Sequence, residues 1–283
     1  MGAAMATRLL ATGYTVSVYN RTPAKAEPLV RAGARLADTP REACQGVEAI
    51  LSMTADDEAS RAVWLGSQGI LAATLAPGTL AIECSTLSHD WVLELAREAV
   101  NRGLRYLDAP VTGLPEVAAA GGLTLLVGAA PDDLQACRPL LEALSQRIIY
   151  FGGVGTGTAY KLIINLLGAV QIASAAESMA LAERAGLDLA VVADAIACGQ
   201  AASPQVVRNT RRIVEGNHDR DVVFTPALRL KDVRYALALA QKLGIGSPFG
   251  ALASAAFQRL IDMGDERANE SKIIEVSRRQ PPL

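Results

Sequence analysis

Histidine is almost missing from this chain of 283 residues: His89 and His218 are the only two. They lie in unrelated polar surroundings, which argues against a histidine-based triad or a metal site, and both are expected at the surface. Cysteine is nearly as sparse. Cys44, Cys84, Cys137 and Cys198 are far apart with no CxxC pair, so buried thiols in a reducing compartment are expected, not disulfides or a zinc site. Aromatics contribute only 4% of residues while half the chain is apolar, a composition that suits tightly packed small-residue helices against a sheet. Neither sign of charge dominates. The formal net charge is −2, with no charge runs and hence no electrostatic case for a nucleic-acid or membrane partner. Long hydrophobic runs are lacking too. The most apolar stretch, 162–173, contains Asn165 and Gln171 and is too short to span a bilayer. Arg8 interrupts any early apolar run, so no signal peptide is read and a cytoplasmic protein is expected.

What is present is an alternation of short strands and helices. Residues 3–12 read as a helix closed by Gly13, and 15–19 as a strand running into Asn20-Arg21-Thr22-Pro23. Further strands are expected at 49–53, 80–84, 106–111, 123–127 and 148–151, with helical stretches such as 91–100 between the earlier ones. This pattern predicts an α/β, Rossmann-type, mostly parallel sheet covered on both faces. After Gly153 strand signals cease. Helices are expected at about 158–185, 189–197, 204–215, 226–243 and 250–263. The domain expectation is therefore 1–152 for a dinucleotide-binding unit and 153–283 for an all-helical one.

A dinucleotide unit opens with a strand, a glycine-rich turn and a helix whose N-terminus faces the pyrophosphate. Here Met1-Gly2 stands already at the helix start. The favoured reading is a true start further upstream; the other is a chain without the central strand, a costly loss for a marginally stable fold. Gly152-Gly153-Val154-Gly155-Thr156-Gly157 imitates a glycine fingerprint after a strand. No second strand follows to complete a βαβ unit, so it reads as the entry to the long helix.

Two groups carry chemistry. At the end of the second strand of such a unit, an acidic residue would bind the adenosine ribose hydroxyl. This chain has Asn20, Arg21 and Thr22 instead. An arginine there pairs with a 2′-phosphate, favouring NADP (NADPH) over NAD; a solvated turn is the plainer alternative. The second group is Lys161 and Asn165, four residues apart and on one helix face. A lysine in a cleft can protonate a carbonyl oxygen, with Asn165 holding that oxygen or orienting the lysine. A lysine snorkelling to the surface beside a structural asparagine weighs about equally. The strand end at 108–113 offers backbone N–H groups and the Thr112 hydroxyl to a carboxylate. Lys231-Asp232 reads equally as an exposed ion pair or an active-site element.

Together these residues resemble the β-hydroxyacid dehydrogenase family, whose helical half is of the 6-phosphogluconate dehydrogenase C-terminal type. The segment 1–6, with Gly2 and Met5, is similar to the tail of the family's cofactor loop. Met53-Thr54 and Ser85-Thr86 resemble segments that line the cofactor, and Thr112 and Gly113 the substrate-binding strand end. The run from Gly155 through Lys161 and Asn165 resembles the catalytic signature, and Phe224 through Lys231 the helix whose lysine lies near the cofactor. The resemblance implies oxidation or reduction of a small hydroxy acid or its aldehyde, proton handling by Lys161, and homodimers or homotetramers assembled through the helical half. It departs from the family at Leu114 and Pro115, where a second glycine is usual. A non-catalytic dinucleotide-binding or scaffolding protein is the alternative from another class.

Overall fold

The computed structural model describes residues 1–279. Its strands are β1 (Ser17–Val18), β2 (Arg35–Leu36), β3 (Ala49–Ser52), β4 (Leu80–Glu83), β5 (Arg105–Asp108), β6 (Val111–Thr112), β7 (Leu123–Ala129) and β8 (Ser145–Gly152). The helices of the first half are α1 (Gly2–Ala11), α2 (Glu27–Arg31), α3 (Pro40–Ala43), α4 (Asp57–Leu65), α5 (His89–Asn101), α6 (Pro115–Ala119) and α7 (Pro131–Leu144). Those of the second half are α8 (Thr156–Arg184), α9 (Leu189–Cys198), α10 (Pro204–Glu215), α11 (Pro226–Lys242), α12 (Pro248–Asp262) and α13 (Ile274–Arg279). Two compact units result, Met1–Lys161 and Leu162–Leu283.

The first unit is the Rossmann-like half. β3, β4 and β5 run parallel in register, Ser52 opposite Glu83 and Glu83 opposite Asp108. Aligned strand ends of this kind collect polar residues at one rim of the sheet. β7 breaks the parallel pattern by running antiparallel to β5 and β6, and β8 returns parallel to β7. β1 and β2 pair parallel with each other as a separate two-stranded sheet. Leu107, Leu123, Leu125, Val127 and Leu141 fill one core with Met5 and Leu9 of α1. Trp64, Trp91, Leu95 and Tyr106 fill the core on the other face.

The segment 106–111 read as one strand is in fact two. Ala109-Pro110 separates β5 from β6, and the Pro110 carbonyl accepts the Leu126 N–H, which turns the chain onto β7. Gly113, at φ 141°, then permits the turn into α6. Proline at the first turn opens α6, α7, α10, α11 and α12, where its missing N–H has no helical partner anyway.

Among the described residues the second unit has helices and no strand. Ala169, Ile172, Ala176 and Met179 of α8 pack with Val233 of α11, Phe257 and Leu260 of α12 and Ile274 of α13. At 29 residues α8 is longer than the apolar stretch seen in the sequence and, by length and composition, is one helix able to cross a membrane. Its small residues are instead used in this protein core. Two surface expectations need correction. His218 is buried, its Nδ1 2.9 Å from the Ser271 hydroxyl, because the loop after α10 folds under the segment before α13. Cys198 is exposed at the end of α9, while Cys44, Cys84 and Cys137 are buried as expected. Burial pushes the Cys44 and Cys137 thiols up to about 12, so both stay protonated and inert.

Candidate active site

Four features of the first unit bear on cofactor binding. α1 starts at Gly2 with no side-chain cap and no acidic residue in its first turn, which leaves its N-terminal amides suited to an anion. A Cβ on Gly2 would stand 3.3 Å from the Met53 Cβ, so glycine lets this helix start approach the end of β3 closely. Met5, one turn on, is buried in the core. Asn20, Arg21 and Thr22 are all exposed. The Asn20 Oδ1 accepts the Thr22 N–H at 2.9 Å, so a side-chain turn shapes this loop and leaves the guanidinium in solvent. A dinucleotide phosphate chain fits the first of these features and a 2′-phosphate the last.

The third feature joins the two segments expected to line the cofactor. The Thr54 N–H donates to Ser85 Oγ at 2.6 Å, and the two hydroxyls lie 3.1 Å apart. Thr86, next in the chain, is half-buried. Beneath this pair lies Glu83, fully buried at the end of β4. Its Oε1 accepts the Ser85 N–H at 3.0 Å, and its Oε2 accepts Trp64 Nε1–H at 2.8 Å and the Ser60 hydroxyl at 3.1 Å. Ser60 Oγ in turn accepts Trp91 Nε1–H at 2.9 Å. Burial pushes the Glu83 carboxyl up from its ordinary value, and the bonds from Ser85 and Trp64 oppose that rise. Sequence reasoning missed Glu83. Its signal was a carboxylate closing an otherwise apolar strand.

The fourth feature is the meeting of β5–β6 with the start of α8. Lys161 Nζ donates to the Val111 carbonyl at 2.9 Å. The next residues in the chain, Thr112 and Gly113, are exposed. Asp108 is fully buried and accepts the Gly155 N–H at 2.6 Å and the Thr158 N–H at 2.7 Å. Desolvation raises the pKa of Asp108, and these two N–H bonds work against it.

In the second unit, Asn165 is tied to α11. Its Nδ2 donates to Asp232 Oδ2 at 2.6 Å, while Lys231 Nζ lies 2.9 Å from Asp232 Oδ1. Only 1% of Asp232 is exposed, so Lys231-Asp232 is not the surface pair that was one of its two readings. The amide nitrogen thus faces Asp232, and its oxygen faces away. Arg229 braces the arrangement, with NH1 donating to the Asn165 carbonyl at 3.2 Å and Nε to Glu270 at 2.8 Å. Arg229 was thus the missed positioning group here, while Asp232 reads in the sequence only as one half of a Lys231-Asp232 pair. Charged residues inside an apolar helix were their trace in the sequence. A separate concavity lined by Glu215–Arg220 holds none of these residues.

Comparison with known proteins sets the class, that of NAD(P)-binding dehydrogenases. Residues 1–152 match the model of the NAD binding domain of 6-phosphogluconate dehydrogenase. Residues 155–277 match the model of the NAD-binding region of NADP-dependent 3-hydroxyisobutyrate dehydrogenase. A Pseudomonas aeruginosa NAD-dependent L-serine dehydrogenase is 35% identical over 93% of this chain and 90% of its own length. A 3-hydroxyisobutyrate dehydrogenase of the same organism is 33% identical over 91% of this chain and 88% of its own. Among solved structures, 3-hydroxyisobutyrate dehydrogenase from Salmonella typhimurium superposes with a TM-score of 0.88 at 26% identity, covering 97% of this chain and 95% of that one. The chain belongs to the β-hydroxyacid dehydrogenase family.

Proposed function

We propose that this protein is an NADP(H)-dependent oxidoreductase that interconverts a small hydroxy acid and its aldehyde or keto acid, with Lys161 as general acid and base. The observation that carries the proposal is the 2.9 Å bond from Lys161 Nζ to the Val111 carbonyl. It ties the ammonium to the residue that precedes Thr112 and Gly113, whose hydroxyl and backbone N–H groups are the proposed partners of a substrate carboxylate. When bound, the nicotinamide cofactor gives or takes a hydride at the substrate carbon. In reduction, Lys161 passes a proton from Nζ to the carbonyl oxygen; in oxidation, the neutral amine takes the hydroxyl proton. Asn165, one turn along α8, is assigned to holding that same oxygen or to orienting the lysine. Residues 1–152 serve the cofactor and 153–283 the substrate and oligomerisation. Exposed Ile163 and Leu167 on α8 and Phe249 and Leu252 on α12 support a homodimer or homotetramer, which light scattering after gel filtration will read directly.

Arg21 supports NADP over NAD, because a guanidinium binds a 2′-phosphate with charge-assisted bonds worth about 1.5–3 kcal/mol each. Among relatives both preferences are named, so cofactor choice is settled by titration of NADPH and NADH through their own emission. Arg21→Ala is expected to weaken NADPH binding about tenfold, after discounting for solvent exposure, with NADH unchanged. Equal weakening of both cofactors would remove Arg21 from phosphate recognition. Turnover across a panel of small aldehyde acids tests the activity itself. Cofactor binding without turnover of any of them would favour the scaffolding alternative.

A further inference from the structure

The proposed chemistry uses Lys161 and leaves a buried carboxylate, Asp108, without a part. Both Asp108 oxygens are engaged by N–H groups at the start of α8, Gly155 on Oδ1 and Thr158 on Oδ2. These are orphan donors of the helix N-terminus, so Asp108 caps α8 from a neighbouring strand and not from the helix's own chain. Three residues further along the strand end, the Val111 carbonyl accepts Lys161, three residues further along the helix. Asp108 to Thr158 and Val111 to Lys161 therefore form two rungs between the same two segments. The approach is close. A Cβ on Gly128 of β7 would lie 2.5 Å from Asp108 Oδ1 and 2.9 Å from the Gly157 nitrogen. A Cβ on Gly157 would collide with the Leu126 carbonyl.

We infer that Asp108 is a positioning residue for Lys161, holding the first turn of α8 on the sheet so that the lysine ammonium stays at the substrate-binding strand end. A lysine stem is flexible, with many rotamers to restrict. Its root must be held for its tip to be placed, and misplacement by about 1 Å can cost roughly 10²-fold in rate. An apolar residue would spare the cost of burying a charge but would leave both N–H groups unpaired.

The inference rests on the oxidoreductase reading, and the test separates the two. Asp108→Asn keeps the volume and one acceptor while placing an NH2 against the other N–H. Hydrogen exchange is expected to speed up at least tenfold for residues 155–158 and to stay unchanged in the middle of α8. With an acid that the wild type turns over, kcat is expected to fall roughly 30–100-fold, with KM for NADPH and acid within threefold. In a Lys161→Ala background the same change should have under a twofold effect, since Asp108 acts through the lysine. An equal fractional loss in both backgrounds, or unaltered exchange, overturns the inference. So does normal kcat in an active, folded variant. Absence of turnover in the wild type overturns the enzyme reading and this inference together. Circular dichroism monitors folding. Asp108→Ser, which loses the reach to both amides, makes the same comparison if the Asn variant is unfolded.

Discussion

Lys161→Ala is expected to lower kcat by about 10²–10⁴-fold, the usual contribution of a positioned proton donor, while NADPH affinity stays within twofold. The separation follows from placement. Lys161 meets the Val111 carbonyl on the strand end that also presents Thr112 and Gly113. The features suited to the cofactor, Gly2, Met53, Arg21 and the Thr54–Ser85 pair, lie on other segments. A loss in kcat alone means that the lysine acts in the transition state. A rise in KM with kcat intact would mean that it only helps to hold the acid. Either a rate within tenfold of wild type or a lost NADPH site would refute the assignment. Stability should change little, because Lys161 is half-buried and the Val111 group that it meets is a carbonyl with no charge of its own.

Glu83→Ala is expected to cost about 3–5 kcal/mol of stability, since it strands Trp64 Nε1–H and the Ser85 N–H at roughly 1–3 kcal/mol each and adds a cavity. The urea midpoint followed by circular dichroism reads this loss, and a change below about 1 kcal/mol would show the network to be dispensable. The carboxyl also predicts a pH dependence. Its folded pKa is raised by burial, so both states are neutral at low pH. As pH rises above the ordinary glutamate value of about 4.3, the unfolded carboxyl loses its proton first. Stability then falls until the raised folded pKa is passed. Asp108 acts in the same direction. Glu83→Gln removes the Glu83 part, so the stability difference between wild type and this variant should shift against the wild type as pH rises through that window. A difference independent of pH would mean that Glu83 has no raised folded pKa.

Periodicity and punctuation made most of the fold legible. Proline at helix starts and glycine at helix ends bound α10 and α11 closely, and the loss of strand signal after Gly153 marks the helical half. The β5–β6 break was not read from the sequence: 106–111 reads as one strand despite Pro110, and the Pro110 carbonyl bond to Leu126 shows the turn. The antiparallel sense of β7 was equally hidden, because strand direction is set by long-range pairing. In the site, single residues with distinctive chemistry stood out: Lys161, Asn165 and Arg21. Their supporting groups were less plain: in the sequence Asp232 reads only as half of a Lys231-Asp232 pair, either exposed or part of the site, and Glu83 and Asp108 are given no role. All three owe their roles to partners 19–67 residues away, a distance across which sequence spacing carries no signal.

The chain holds two tryptophans, and both sit in the Glu83 network of the first unit, buried and donating their indole N–H groups. The second unit has none. Selective tryptophan excitation therefore gives an optical view of the sheet-bearing half alone. Helices α9 to α13 melt unseen by it. A denaturation curve recorded by intrinsic emission reports on one unit, and any gap between it and a far-ultraviolet curve measures how independently the two units unfold.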